Sequence, residues 1–292
     1  MTDPALLSLL PEIRRCRDYR LYDGRGRRYL DMYQLGGRAL GGHRPEGLSH
    51  SFKNHLSRGV WGELPNPYAS RLKTLLAPFF PDHPNILLFP TTGEAERFLH
   101  QQYGGAGEPS GAPKGGSERQ EGGGGLVQDP ALGSLAPGRP ALWRPLCPAE
   151  YREVPALIPV LPFPGGFAPR VVCLGPGEAL PPKETSLGWE LECSSLMLAA
   201  LVKAVTVLPK LTDNDNRKGW EEFDHFGEGL WHRRGPYLAY RGDGERYPVL
   251  FRAALEAGVV LHPGSSGPSI LPLDYTEGEM APLLRLMENY GN

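Results

Sequence analysis

The residues best placed to do chemistry form a short turn, Thr91-Thr92-Gly93-Glu94, behind the apolar run Asn85–Phe89 and Pro90. Two hydroxyls and successive backbone amides at a helix start suit an anion, because the first N–H groups of a helix lack intrahelical partners. The same residues equally suit a threonine-capped helix. Amine chemistry has few candidates, with 7 lysines beside 24 arginines. Asp224, His225, Glu228 and His232 include metal-ligand types, but two histidines seven apart with no second pair read as exposed polar residues. The four cysteines, Cys16, Cys147, Cys173 and Cys193, contain no Cys-x-x-Cys pair and form neither a disulfide framework nor a zinc knuckle. No Gly-x-Ser-x-Gly, phosphate-loop or dinucleotide fingerprint is present.

The elements that must position these residues are legible at both ends of the chain. Tyr19–Tyr22 and Arg28–Tyr33 flank an Asp23-Gly24 turn and predict a strand pair. Leu48, Phe52 and Leu56 make a helical stripe within Glu46–Arg58, and Tyr68–Phe80 repeats the pattern up to Pro81. Asn85–Phe89 and Val171–Leu174 predict buried strands, with a helix running from the Thr91 turn through Gln102. Leu196–Leu208 and Tyr247–Ala257 predict helices, the second ending at Gly258. Val259–His262 and Ser269–Leu273 predict strands, and Thr276-x-x-Glu279 is a capping box for a last helix. This alternation points to α/β or α+β, with no internal repeat.

Composition marks the middle as different. The 292 residues include 38 glycines and 31 prolines, against a usual combined share of about 12%. Between Gly104 and Gly125, 10 of 22 residues are glycine, which predicts a flexible segment. Ten prolines between 130 and 169 argue against central strands or helices there. The net charge of −2 removes the electrostatic case for a nucleic-acid partner or an acidic membrane surface. The Ala5–Leu10 run is too short for a signal peptide, and no stretch reaches the length of a membrane span, so a reducing, cytoplasmic location is the expectation.

Several blocks together resemble class III aminotransferases, a group that includes the glutamate-1-semialdehyde aminomutases. Leu21-Tyr-Asp-Gly-Arg-Gly-Arg-Arg-Tyr-Leu-Asp31 and Leu40-Gly-Gly-His-Arg-Pro45 are similar to the family's N-terminal strand pair and Gly-His-x-x-Pro turn, with one residue gained or shifted. Thr91-Thr-Gly-Glu-Ala95 resembles its Ser-Gly-x-Glu-Ala. Glu184-Thr-Ser-Leu-Gly188 resembles its threonine-rich turn before a helix, and residues 247–289 resemble its closing segment. The match covers about two thirds of the chain.

The resemblance implies an α/β fold of fold type I, with a reduced large domain and a small α+β domain built from both chain ends. It places residues 1–60 and 213–292 in the small domain, 61–103 and 126–212 in the large domain, and 104–125 in a linker. It implies a pyridoxal-phosphate site needing a Schiff-base lysine, an acidic partner for the ring nitrogen, a stacking aromatic and a phosphate site. Thr91, Thr92, Gly93 and Thr185 match the phosphate site. Val171–Leu180 best fits the lysine motif and puts Pro176 at the lysine position, where no Schiff base can form. The stretch expected to hold the acid, Ala156–Ala168, has none, and the glycine-rich segment supplies no aromatic. Lys183 is the nearest substitute, and Lys203 reads as a solvated helix residue. The expectation is a catalytically inactive aminotransferase-like protein, without cofactor, that forms a homodimer or pairs with an active relative. The alternatives are an active pyridoxal-phosphate transaminase or aminomutase using Lys183, and a phosphate or small-molecule binding module.

Overall fold

The computed structural model describes residues 2–104, 126–212, 220, 222–225 and 229–290. The glycine-rich stretch after Gly104, the polar residues 213–218, Lys114 and Glu228 therefore lie outside the described residues. In chain order, the first elements are α1 (Pro4–Leu7), β1 (Ile13–Arg17), β2 (Arg20–Asp23), β3 (Arg28–Asp31) and the single turn α2 (Gln34–Gly37). Next come α3 (Leu48–Ser57), α4 (Tyr68–Leu76), β4 (Asn85–Phe89), α5 (Thr92–Tyr103), β5 (Ala141–Trp143), β6 (Ala156–Pro159) and β7 (Arg170–Leu174). α6 (Lys183–Glu192), α7 (Ser195–Val205), α8 (Leu208–Thr212), α9 (Glu222–His225), β8 (Trp231–Arg234) and β9 (Tyr237–Tyr240) follow. The chain closes with α10 (Tyr247–Glu256), β10 (Val259–Val260), β11 (Ser269–Ile270) and α11 (Glu277–Tyr290). Among the described residues no single helix is long and apolar enough to cross a membrane.

Backbone contacts divide these elements between two units. Unit 1 contains Met1–Glu46, Arg144–Pro148 and Val207–Asn292, and unit 2 contains Gly47–Trp143 and Ala149–Thr206. The architecture is mixed α/β, as the alternation of elements predicts.

Unit 2 is built on a four-stranded sheet in the order β4-β7-β6-β5. Leu87, Phe89, Val172, Leu174 and Ala156 on this sheet pack against Ala95, Phe98, Leu99 and Tyr103 of α5. Helix α7 packs against α3 and α4. Strand β6 overturns the expectation that the proline-rich middle carries no central strand, since it lies inside the sheet between β7 and β5. Its prolines explain why this is possible. Pro155 precedes the strand and Pro159 ends it, leaving Ala156 and Leu157 to pair with Leu174 and Cys173.

Unit 1 holds a second four-stranded sheet, β1-β2-β3-β10, and a three-stranded sheet, β11-β9-β8. The predicted strand pair around Asp23 is present, with Asp23 Oδ1 accepting the amides of Arg25 and Arg27 at 2.9 Å. Strand β3 then pairs in parallel with β10, Leu30 against Val259. Leu30, Met32, Leu250, Phe251, Leu271, Met280 and Leu283 share one buried cluster. Turn α2 is left-handed, with φ of 45°, 52°, 69° and 103° at Gln34, Leu35, Gly36 and Gly37. Two of those residues are not glycine, so the conformation is strained. It is held by Asp31, which is 1% exposed; its Oδ1 accepts the amides of Tyr33 and Gln34, and its Oδ2 bonds His43 Nε2 at 2.6 Å.

One ion pair ties the first strands to the last helix. Arg20 donates from Nε and Nη2 to both carboxylate oxygens of Glu279 at 2.8 Å, and these side chains are 13% and 7% exposed. Glu279 also accepts the Thr276 amide at 2.9 Å, one half of the predicted capping box. The Thr276 hydroxyl donates to the Glu279 carboxylate at 3.1 Å, and the Glu279 amide bonds the Thr276 carbonyl oxygen instead. The Arg20 guanidinium pulls the Glu279 carboxyl down to about 2, against the opposing effect of burial. A depressed carboxyl stabilises the fold above its unfolded pKa and loses that contribution as pH falls through the folded value. Glu279→Gln should therefore destabilise the protein at neutral pH by roughly 3 kcal/mol, measured by denaturant unfolding. The deficit should shrink as pH falls from about 4 towards 2, where the native carboxylate is itself protonated.

A second prediction concerns Gly267. A Cβ there would come within 2.2 Å of the His262 ring, whose Nδ1 is held at 2.9 Å from the Gly264 carbonyl oxygen. Gly267→Ala should cost about 1–3 kcal/mol of unfolding free energy through overpacking, whereas Gly278→Ala, with open space around it, should not.

Candidate functional site

Strand direction determines what meets at the start of α5. Strand β7 is antiparallel to β4 and to β6, while β6 and β5 are parallel. Strands β4, β5 and β6 therefore finish at one edge of the sheet, where β7 begins. Phe89 pairs with Arg170 at that edge, and Asn85 pairs with Leu174 at the other.

The Thr91 turn is a self-contained helix cap. Thr91 is the N-cap, its Oγ1 accepting the Glu94 amide at 3.2 Å and donating to Glu94 Oε2 at 2.8 Å. Thr92 Oγ1 accepts from Nε of Arg170 at 2.8 Å. The Thr91 hydroxyl is thus committed as a donor, and Thr92 as an acceptor. A Cβ at Gly93 would meet open space among the described residues. Burial pulls the Arg170 guanidinium below its usual value, and the Glu96 carboxylate acts in the opposite sense. A cation at a helix N-terminus opposes the local dipole, and the carboxylates of Glu94 and Glu96 in the first turns offset it.

The segment that follows β6 shares this edge. Val160, Leu161 and Phe163 are 6%, 7% and 3% exposed, and Phe163 stacks on Phe52 with ring centroids 6.3 Å apart. Between Ala156 and Arg170 the chain has neither a lysine nor a carboxylate. Pro176 does not share this edge: it follows Leu174 at the opposite one and is exposed. The residues that stand at the β6 terminus, beside the start of α5, are the apolar ones.

Lys183 and Thr185 belong to a helix rather than to the turn expected around them. Pro182 is the N-cap of α6, so Lys183 is its first residue and Thr185 its third, both exposed. α6 is anchored through Trp189, whose ring lies 4.4 Å from that of Phe89 and 6.0 Å from that of Phe98. Gln102 near the end of α5 donates to the Ala179 carbonyl oxygen at 3.0 Å, and Glu94 at its start shares a hollow with Glu192. The two helices are therefore antiparallel. Thr185 lines a hollow of about 410 Å³ that runs along α5 from Gln101 and Gln102 to Arg97 and Glu94. Lys203 lies on α7 against Gly47, and Lys73 is paired with Glu190.

The hollow beside Thr91 measures about 740 Å³. Glu63, Glu94 and Glu192 face it with Arg97, over a floor that includes Phe167 and Met197. Three carboxylates against one guanidinium disfavour a phosphate and favour a cation. The composite arises from backbone bonds that bring distant segments together: Ser195 donates its amide to the Gly62 carbonyl oxygen at 2.9 Å, and Ser194 its hydroxyl to that of Trp61 at 2.8 Å. Neither Arg170 nor the glutamate rim belongs to a local motif. The one available signal was an arginine placed between Pro169 and a buried-strand pattern.

Of the metal-type residues, the side chains of Asp224 and His232 are described, and they are engaged or exposed separately. Both Asp224 oxygens are taken by Arg233, at 2.7 and 2.5 Å, and His232 is exposed. Burial, then Arg241 and Arg234, push the His232 imidazole below its usual value. No group of three or more potential metal ligands occurs among the described residues.

No family model matches the chain. An uncharacterized protein of Borreliella burgdorferi is 37% identical over 99 residues, which are 34% of this chain and 37% of that protein. An uncharacterized protein of Treponema pallidum is 27% identical over 89% of this chain and 88% of its own length. Among solved structures, glutamate-1-semialdehyde aminomutase from Pseudomonas aeruginosa superimposes with a TM-score of 0.63 at 15% identity, over 95% of this chain and 86% of that one. A second structure of that aminomutase is a complex with PMP. Ornithine aminotransferase from Plasmodium yoelii gives 0.64 at 12% identity over 95% and 92%, and N-acetylornithine aminotransferase from Stenotrophomonas maltophilia gives 0.58 at 14% over 98% and 97%. The fold of this chain is thus that of the pyridoxal-phosphate-type aminotransferases, carried on 292 residues.

Proposed function

We propose that this chain is a non-catalytic protein of aminotransferase fold, acting by binding or by pairing with another chain. The observation that carries the reading is the sheet edge beside α5, where buried Val160, Leu161 and Phe163 follow β6 and no lysine or carboxylate stands between residues 156 and 170. A Schiff base needs a lysine amine within reach of the cofactor, and an electron sink needs an acid on the ring nitrogen. Residues 156–170 at this edge, which include neither amine nor acid, do not fit that group.

Three lysines among the described residues support the same reading. Lys73 is held by Glu190, Lys210 reaches Glu46 at 3.8 Å, and Lys183 opens α6 at the far end of α5 from Thr91. The phosphate-module alternative is weakened by the Thr91 hydroxyl, which donates to Glu94, and by the glutamate rim beside it.

The test is to mix the purified full-length chain with pyridoxal phosphate, record the absorbance above 400 nm, treat with borohydride and map any adduct by mass spectrometry. The expected result is no stoichiometric label on any lysine. A single stoichiometric adduct, at Lys183 or elsewhere, would overturn the reading in favour of an active enzyme.

A further inference from the structure

The hollow of about 410 Å³ in unit 2 lies between α5, α6 and segment 179–182. Its walls are fixed before any ligand arrives. Gln102 Nε2 donates to the Ala179 carbonyl oxygen at 3.0 Å, and the Tyr103 hydroxyl donates to Glu178 Oε2 at 2.9 Å, which pins that segment to the end of α5. Trp189 is seated against Phe89 and Phe98, and Pro181 and Pro182 have a locked φ. Phe98, Trp189 and the two prolines give the hollow flat apolar surfaces, and its volume lies in the range of small-ligand sites. Flat apolar walls favour a planar ring over a branched chain.

The polar groups decide which ring. Gln101 and Thr185 line the hollow, and among the described residues neither the Gln101 amide nor the Thr185 hydroxyl has a hydrogen-bond partner. A side-chain amide carries a donor beside an acceptor. It pairs bidentately with a ring edge that offers the complement, as the amino group and the adjacent ring nitrogen of adenine do. The charged lining is one group of each sign. Arg97 Nε reaches the Gly93 carbonyl oxygen at 3.4 Å, and Glu94 Oε2 accepts the Thr91 hydroxyl. These two lie one turn apart on α5, so their fields largely cancel and a net charge on the ligand gains little. Sugar hydroxyls suit both, because a carboxylate accepts from a hydroxyl and a guanidinium donates to one. We infer that this hollow binds a neutral purine nucleoside of the adenine type. The base stacks among Phe98, Trp189, Pro181 and Pro182 with its amino edge on Gln101, and the sugar hydroxyls meet Glu94 and Arg97. The inference rests on the reading of the chain as a binding protein and names a ligand class. The hollow shares Glu94 and Arg97 with the glutamate-rimmed one and runs the other way along α5.

The experiment is equilibrium dialysis of the full-length chain against adenosine. The expected result is one saturable site per chain with a dissociation constant below about 1 mM. Purine riboside, which lacks the amino group, should bind roughly fivefold or more weakly, and Gln101→Leu should weaken adenosine by a similar factor. Thr185→Trp, which fills the hollow, should abolish binding. AMP should bind no tighter than adenosine, because Glu94 stands beside Arg97. Gln101 and Thr185 are exposed, and circular dichroism checks that each variant is folded. No binding at millimolar adenosine, purine riboside binding as well as adenosine, or an affinity unchanged in either variant would each overturn the inference. Tighter binding of AMP, lost in Arg97→Gln, would overturn it in favour of an anion site. Lysine labelling by pyridoxal phosphate and borohydride is read independently, so loss of the non-catalytic reading is distinguishable from loss of the nucleoside site.

Discussion

Strand β7 runs against both of its neighbours, and that direction controls the chemistry available at the start of α5. It brings Arg170, rather than the residues after Leu174, beside Phe89 and Thr92. It also leaves the end of β6, with its buried valine, leucine and phenylalanine, as the segment that shares the edge. Had β7 been parallel, Pro176 would have stood next to the Thr91 turn. A sheet edge collects ligands where strands end and helices begin. Here the same edge keeps a hollow beside Thr91, with the Thr91 hydroxyl donating to Glu94 and Thr92 accepting from Arg170.

Unit 1 instead buries charged side chains and engages them with polar partners. Asp31 gathers two backbone amides and His43 around a left-handed turn, and Arg144 donates to the Gly36 carbonyl oxygen at 2.9 Å. The Tyr237 ring lies 5.3 Å from the Arg144 guanidinium carbon. A strained turn persists only when its surroundings over-determine it, and these contacts do so. The Arg20–Glu279 pair acts similarly between the first strands and the last helix.

Much of this was readable from residue pattern, and the exceptions have physical causes. Asn85–Phe89 coincides with β4, and the stripes in Tyr68–Leu76 and Tyr247–Glu256 became helices because their apolar spacing matches one buried face. Strand β6 was hidden by the proline density around it, although Pro155 and Pro159 bracket three residues that pair well. α6 was hidden because it has weak amphipathicity, no fully buried residue and a proline as its N-cap. The candidate site was legible only in its α5 half. Arg170 reaches Thr92 through strand register, and Glu63 reaches Glu192 through the clamp of residues 61–64 on the start of α7. Neither proximity leaves a trace in local spacing. The glycine-rich segment lies outside the described residues and adds nothing to either account.

The division into units has a consequence for how the chain must fold. The backbone passes from one unit to the other at 46/47, 143/144, 148/149 and 206/207. Neither unit is therefore a continuous piece of polypeptide. Strand β3 waits for β10, more than two hundred residues later, before its second edge is covered. Loop closure over such separations is slow and leaves strand edges exposed in the interval. Arg14, Arg15 and Arg17 lie on β1, the opposite edge of the same sheet, where like charges discourage pairing with the wrong strand.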